Sequence, residues 1–157
     1  MAAPELRAII ELKAAKYGLD PDFVEAEIQQ ESYPMWNQNS KRYEAAFYQH
    51  YIVPMKITDP VEATGRATSF GLLQVMGEVA REMGYQGAFE GLFDPMTCLE
   101  WGCKKLAKCV KRYPGDLDSA IASYNAGTAV KNADGTFRNQ NYVDGVNGYL
   151  KKIKSGA

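Results

Sequence analysis

The stretch from Asp20 to Ser32, DPDFVEAEIQQES, admits little besides a short helix that ends on a carboxylate. Asp20 is a good N-cap, and Pro21 fits the first helical position, where its missing N–H costs nothing. Val24, Ile28 and Glu31 then fall at i, i+4 and i+7, one face of an α-helix. Glu31 thus continues an apolar stripe, while Glu25 and Gln29 are assigned to the wet face. Burial disfavours the charged form of a carboxyl group and raises its pKa, as a general acid working near neutral pH requires. The alternative is a glutamate at a helix C-terminus that curls out to solvent.

Helical periodicity runs through the rest of the chain. Leu6, Ile9, Ile10, Ala14 and Tyr17 form an apolar stripe closed by Gly18. After the Asp20 helix, a break is expected at Tyr33-Pro34, followed by a loop carrying Trp36 and three amides. A helix is expected over Arg42 to Ile52, with Tyr43, Phe47 and Tyr51 at helical spacing. Asp59-Pro60-Val61-Glu62 reads as a capping box. A further helix is expected from Gly71 to Met83, with Leu72, Met76, Val79, Ala80 and Met83 on one face. Asp94-Pro95 opens the most regular helix, with Leu99, Cys103, Leu106, Val110 and Tyr113 on one side and Lys104, Lys105, Lys108 and Lys111 on the other. Leu117, Ile121 and Tyr124 mark another helix, stopped at Gly127. A turn-rich loop with Asp134-Gly135 at its tip leads to the last, carrying Tyr142, Val146, Tyr149, Leu150 and Ile153. No alternating strand pattern stands out, so the expected class is all-α.

At 157 residues the chain fits one domain, 1–157, able to bury roughly two-thirds of its unfolded surface. No run of eighteen apolar residues offers a transmembrane helix, and the start, MAAPELRAII, lacks the pattern of a secretory signal. Cys98, Cys103 and Cys109 match no zinc spacing, and their odd number argues against a disulfide framework. They read as small packing residues of a reduced compartment. A Cys–His nucleophile would have only His50 to draw on. Residues 1–100 hold 8 Lys/Arg against 15 Asp/Glu, and residues 101–157 hold 10 against 4. The basic half suits either an anionic envelope surface or a solvated helix face.

Four local patterns carry the chemistry: Glu31-Ser32 at a helix end, GLLQ at Gly71 to Gln74 preceded by Ser69, ASYNAG at Ala122 to Gly127, and Tyr142 opening the last helix. In this order they resemble the soluble lytic transglycosylase (SLT) domain, a relative of goose-type lysozyme in the lysozyme-like superfamily. That family reads ES, GLMQ, AYNAG and then a tyrosine. The resemblance covers roughly Leu12 to Lys154, and it implies a lysozyme-like helical fold with a substrate cleft.

The resemblance implies that Glu31 is the single catalytic acid, protonating the oxygen between N-acetylmuramic acid and N-acetylglucosamine. It implies that Ser69, Gln74, Tyr124 and Asn125 bind sugar or orient the acid, and that the Tyr142 hydroxyl reaches the catalytic carboxyl. Each has a structural alternative: Ser69 as the cap of a Gly71 helix, Gln74 as an exposed helix residue, Tyr124 and Tyr142 as core aromatics with satisfied hydroxyls. Ser32 is expected to hold the Glu31 turn. Ordinary glycosidases use two carboxyl groups. A lytic transglycosylase instead closes the muramic acid's own 6-hydroxyl onto its anomeric carbon and gives a 1,6-anhydro product.

The segment from Ser40 to Thr68 is longer than in the shortest members. Its Arg42-Tyr43-Glu44 and following aromatics are similar to phage-type members. Glu44 is either a second carboxylate for a hydrolytic, goose-type muramidase or the ion-pair partner of Arg42 or Arg66. The expectation is a monomeric phage or prophage endolysin acting on peptidoglycan glycan strands, without cofactor, metal, membrane span or nucleic acid. It would be made in the host cytoplasm without a signal peptide and released to the periplasmic wall by a holin. A non-catalytic wall-binding helical module and a nucleic-acid-binding helical domain are the competing readings; a net charge of −1 gives the latter no overall electrostatic support.

Overall fold

The computed structural model describes residues 1–32 and 36–156, so the break expected at Tyr33-Pro34 lies outside the described residues. Helix α1 (Pro4–Tyr17) ends as expected on Gly18, at φ 67°. The N–H of Leu19 closes on the Ala14 carbonyl and that of Gly18 on Ala15, a Schellman ending that satisfies two carbonyls the helix leaves open. Helix α2 (Pro21–Ser32) starts on Asp20, whose Oδ1 accepts the Asp22 N–H at 2.9 Å.

Helix α2 lies between α1 and α8 (Gln140–Ser155). Val24 and Ile28 are fully buried, each worth about 1.5–3 kcal/mol. Burial runs right round the middle of the helix, as in a helix surrounded by its own domain. Glu25, expected on the wet face, is therefore wholly buried. Its carboxylate accepts from Arg7 Nη1 at 2.6 Å and from the Ala2 N–H at 2.8 Å, so charge pairing offsets its desolvation.

The chain is mostly helical, in the all-α class, with a small sheet that the sequence pattern did not announce. Strands β1 (Lys41–Tyr43), β2 (Thr68–Phe70) and β3 (Val75–Met76) are antiparallel in that order, with Arg42 opposite Ser69 and Ser69 opposite Met76. Two expected helices are shortened by it. Residues 41–43 join β1, and the helical run begins at α3 (Ala45–Phe47). It widens to a π-helical turn, Tyr48–Ile52, and a 3₁₀ turn, Val53–Met55. The helix expected from Gly71 forms only as α5 (Gly77–Glu82). Residues 71–74 make the β2–β3 turn, with Gly71 at φ 76° and Gln74 at φ 45°, neither compatible with a right-handed helix. A Cβ on Gly71 would also stand 2.4 Å from the Leu92 carbonyl oxygen. Ser69 sits inside β2 and caps nothing.

Helix α4 (Pro60–Arg66) is capped by Asp59, which accepts the Val61 N–H. Glu62 does not complete the expected capping box; it takes Arg66 and Arg81 instead. A 3₁₀ segment (Phe89–Phe93) precedes α6 (Pro95–Arg112), which Asp94 caps through the Thr97 N–H. Asp116 caps α7 (Leu117–Ala126), which Gly127 ends at φ 81°. One large apolar cluster runs from Ile10 in α1 to Ile153 in α8. Cys98 and Cys103 belong to it as free, buried thiols, pushed up to about 11 and about 12 by burial. They pack as small apolar residues, away from the ionised state that nucleophilic chemistry needs.

Candidate active site

Helix α2 ends against an open cavity of about 510 Å³ that the sheet, α6 and α7 complete. Glu31, Glu44, Ser69, Gln74, Tyr124 and Asn125 all line it. Tyr142 stands behind Glu31 and reaches its carboxyl from α8. The separate sequence patterns thus converge in one place.

Glu31 is largely buried at the cavity wall. Desolvation pushes its carboxyl up, opposed by a hydrogen bond with Tyr142 and by the charges of Lys105 and Arg42. Ser32 turns its hydroxyl back to the Ile28 carbonyl at 2.7 Å and so holds the end of α2. Tyr142 Oη lies 2.7 Å from Glu31 Oε1 and also 2.7 Å from Glu27 Oε2. Glu27 is one helical turn before Glu31, completely buried, and its Oε1 has no hydrogen-bond partner among the described residues. Desolvation pushes the Glu27 carboxyl up to about 8.

Gln74 is carried by the β2–β3 turn. Its side-chain amide donates to the Ser40 and Gly71 carbonyls at 3.1 and 2.9 Å, which commits its nitrogen and leaves Oε1 as an acceptor for the cavity. Ser69 is buried within β2, and its hydroxyl meets no partner among the described residues. Tyr124 turns a different part of itself to the site. Its hydroxyl donates to the Leu73 carbonyl at 2.6 Å, so it ties α7 to the Gln74 turn, and its fully buried ring backs the cavity with Lys105 over it. Asn125 is exposed at the rim. Its Oδ1 accepts from Asn139 at 2.9 Å, and its own amide N–H groups have no partner among the described residues.

Glu44 lines the cavity and also pairs with Arg42, Nε to Oε1 at 2.6 Å. The pair is wet, with the side chains 67% and 35% exposed, so it fixes orientation more than stability. Phe47 and Tyr51 line the same side, their rings 4.8 Å apart.

Two participants were not identified from sequence. Lys105, expected on the outer side of α6, turns into the cavity. Its Nζ donates to the Tyr124 carbonyl at 2.8 Å and sits 3.9 Å from the centre of the Tyr124 ring. Burial pulls its pKa down, while Glu31 and Glu27 oppose that shift. Glu27 was readable in principle: it is at i−4 from Glu31 and shares its face. Among the described residues, no three His, Cys, Asp or Glu side chains are grouped to hold a metal ion.

A largely buried acid in the wall of an open, polar-rimmed groove is an arrangement suited to cleaving a glycosidic bond. The family model for the transglycosylase SLT domain matches residues 8–143, nearly the whole chain, and the protein belongs to that family. Its members are lytic transglycosylases acting on the glycosidic bonds of peptidoglycan.

The raised Glu27 carboxyl has a stability consequence. Between its ordinary 4.5 and about 8, the folded chain holds a proton there that the unfolded chain has released. Its contribution is full below 4.5 and is lost as the pH rises through 8. Glu27→Gln, which cannot ionise, is expected to reduce the fall in unfolding free energy between about pH 5 and pH 8.5 by on the order of a few kcal/mol, read by urea denaturation. Parallel pH profiles for the two proteins would mean that Glu27 is ionised in the fold.

Proposed function

We propose that the protein cleaves the bond between N-acetylmuramic acid and N-acetylglucosamine in glycan strands and leaves a 1,6-anhydromuramic end. The observation that carries this is the isolation of Glu31: the other carboxylate lining the cavity, Glu44, is held by Arg42. Glu31 gives its proton to the bridging oxygen as the bond to the muramic anomeric carbon breaks. The glucosamine part leaves with a hydroxyl, and the substrate's acetamido group stabilises the cation. The Glu31 carboxylate then takes the proton of the muramic 6-hydroxyl, whose oxygen bonds to the anomeric carbon. Protons and bonds balance, and no water is consumed. Ser69, Gln74 and Asn125 offer the glycan a hydroxyl, a carbonyl oxygen and amide N–H groups, and the buried Tyr124 holds the Gln74 turn in place. In this reading residues 1–157 act as one catalytic domain and as a monomer.

The presence of Glu44 in the same cavity favours one second reading, a muramidase in which it directs water to the anomeric carbon. Digestion of purified peptidoglycan, with products read by mass spectrometry, separates the two. Anhydro ends are expected from the wild type and from Glu44→Gln, and Glu31→Gln is expected to lose at least about a hundredfold in rate. Reducing ends that vanish in Glu44→Gln would replace the first reading with the second.

We further propose a role as a phage or prophage endolysin. The similarity of the Arg42-Tyr43-Glu44 segment to phage-type members supports it, and no helix among the described residues is long and apolar enough to cross a membrane. Expressed inside a Gram-negative host, the protein is expected to lyse cells only once a holin opens the inner membrane. Prompt lysis without a holin would overturn the endolysin role.

A further inference from the structure

The contacts around Tyr142 hold a proton count. Its hydroxyl carries one hydrogen, yet two carboxyl oxygens lie 2.7 Å from it, Glu31 Oε1 and Glu27 Oε2. One hydrogen makes one full-strength bond, so both contacts are full-strength only if the second carboxyl oxygen donates to the hydroxyl, which puts a proton on one of the two glutamates. Were Glu27 the ionised one, it would take the Tyr142 hydrogen. Glu31 would then have to turn its own proton inward onto Tyr142, away from the cavity. After transfer to substrate, two carboxylates would face one hydroxyl, and one would be left unpaired in a buried site.

The opposite polarity has neither fault. The environment of Glu27 favours it: the side chain is completely buried, its Oε1 has no partner among the described residues, and the ammonium of Lys105 bonds the Tyr124 carbonyl and not Glu27. We propose that Glu27 is a positioning residue for the general acid. A neutral Glu27 donates from Oε2 to Tyr142, Tyr142 donates to Glu31 Oε1, and the proton that Glu31 transfers is thereby confined to Oε2. Both hydrogen bonds survive the transfer, because Tyr142 donates to Glu31 whether that group is protonated or ionised. The chain therefore needs no rearrangement between the two chemical steps. The charged or titratable groups facing it are Lys105 from α6, Tyr124 from α7, Tyr142 from α8 and Arg42 from β1, besides the two glutamates of α2.

The catalytic part of this inference rests on Glu31 being the acid, whereas the protonation of Glu27 can be tested without substrate. Infrared spectra at neutral pH should show a protonated-carboxyl band that disappears in Glu27→Gln and persists in Glu31→Gln. A wild-type spectrum with no band sensitive to Glu27 would overturn the proposal whatever the activity. In kinetics, Glu27→Gln keeps an amide that donates to Tyr142, and Glu27→Leu fills the space without a donor. The glutamine variant should stay within about threefold of wild-type kcat, while the leucine variant loses about tenfold at unchanged KM. Equal losses in both variants, or full activity in the leucine variant, would overturn the directional role. A loss of folding in the leucine variant still leaves the infrared and glutamine results to decide. Undiminished cleavage by Glu31→Gln would instead overturn the reading of Glu31 and leave the infrared result standing.

Discussion

The Tyr142 hydroxyl is the contact on which the site depends. It joins the last helix to the second across 111 residues of sequence to Glu31 and 115 to Glu27. Without it, the carboxyl groups of Glu27 in the interior and Glu31 at the cavity wall, one turn apart, would have no shared donor. Burial makes such a pair expensive to ionise and raises the proton affinity of both groups, while the Tyr142 bond works against that rise. The packing of α2 against α1 and α8 supplies the dry surroundings, and the open end of α2 supplies access. Structure and proton affinity are here the same arrangement.

The opposite wall is built by committing polar atoms to the backbone. Tyr124 spends its hydroxyl on Leu73, Lys105 its ammonium on the Tyr124 carbonyl, and Gln74 its amide nitrogen on Ser40 and Gly71. These bonds hold the β2–β3 turn, α6 and α7 in fixed relation. Among the described residues, what remains free on this wall is small: one amide oxygen, one serine hydroxyl and the Asn125 amide. The non-helical dihedrals of Gly71 and Gln74 bring that turn close enough to take part, which explains why a helix cannot run through it.

Helix boundaries were legible where a single residue sets them. Asp20, Asp59 and Asp94 before proline, and Gly18 and Gly127 at the far ends, mark real ends because caps and left-handed turns act locally. The chemical motifs were legible for a similar reason: each is a short run on one element. What sequence spacing could not disclose depends on strand pairing or on a neighbour's burial. Helical spacing of Tyr43, Phe47 and Tyr51 did not reveal that residues 41–43 pair with β2. Glu25 and Lys105 looked solvent-facing because charge ordinarily implies exposure. Arg7 and the Tyr124 carbonyl, which hold them inward, come from distant parts of the chain. Glu27 was hidden differently: its place on the Glu31 face was visible, but its meaning requires Tyr142.

The central claim is that the fold keeps Glu31 protonated while it waits for substrate. The most direct measurement is a carbon-13 NMR titration of the Glu31 side-chain carboxyl in uniformly labelled protein, assigned by its absence in Glu31→Gln. The account predicts a resonance that titrates above the ordinary glutamate value of 4.5, in the direction that burial drives it. A Glu31 carboxyl that titrates at that ordinary value would contradict it, because a carboxylate already ionised at neutral pH has no proton to give.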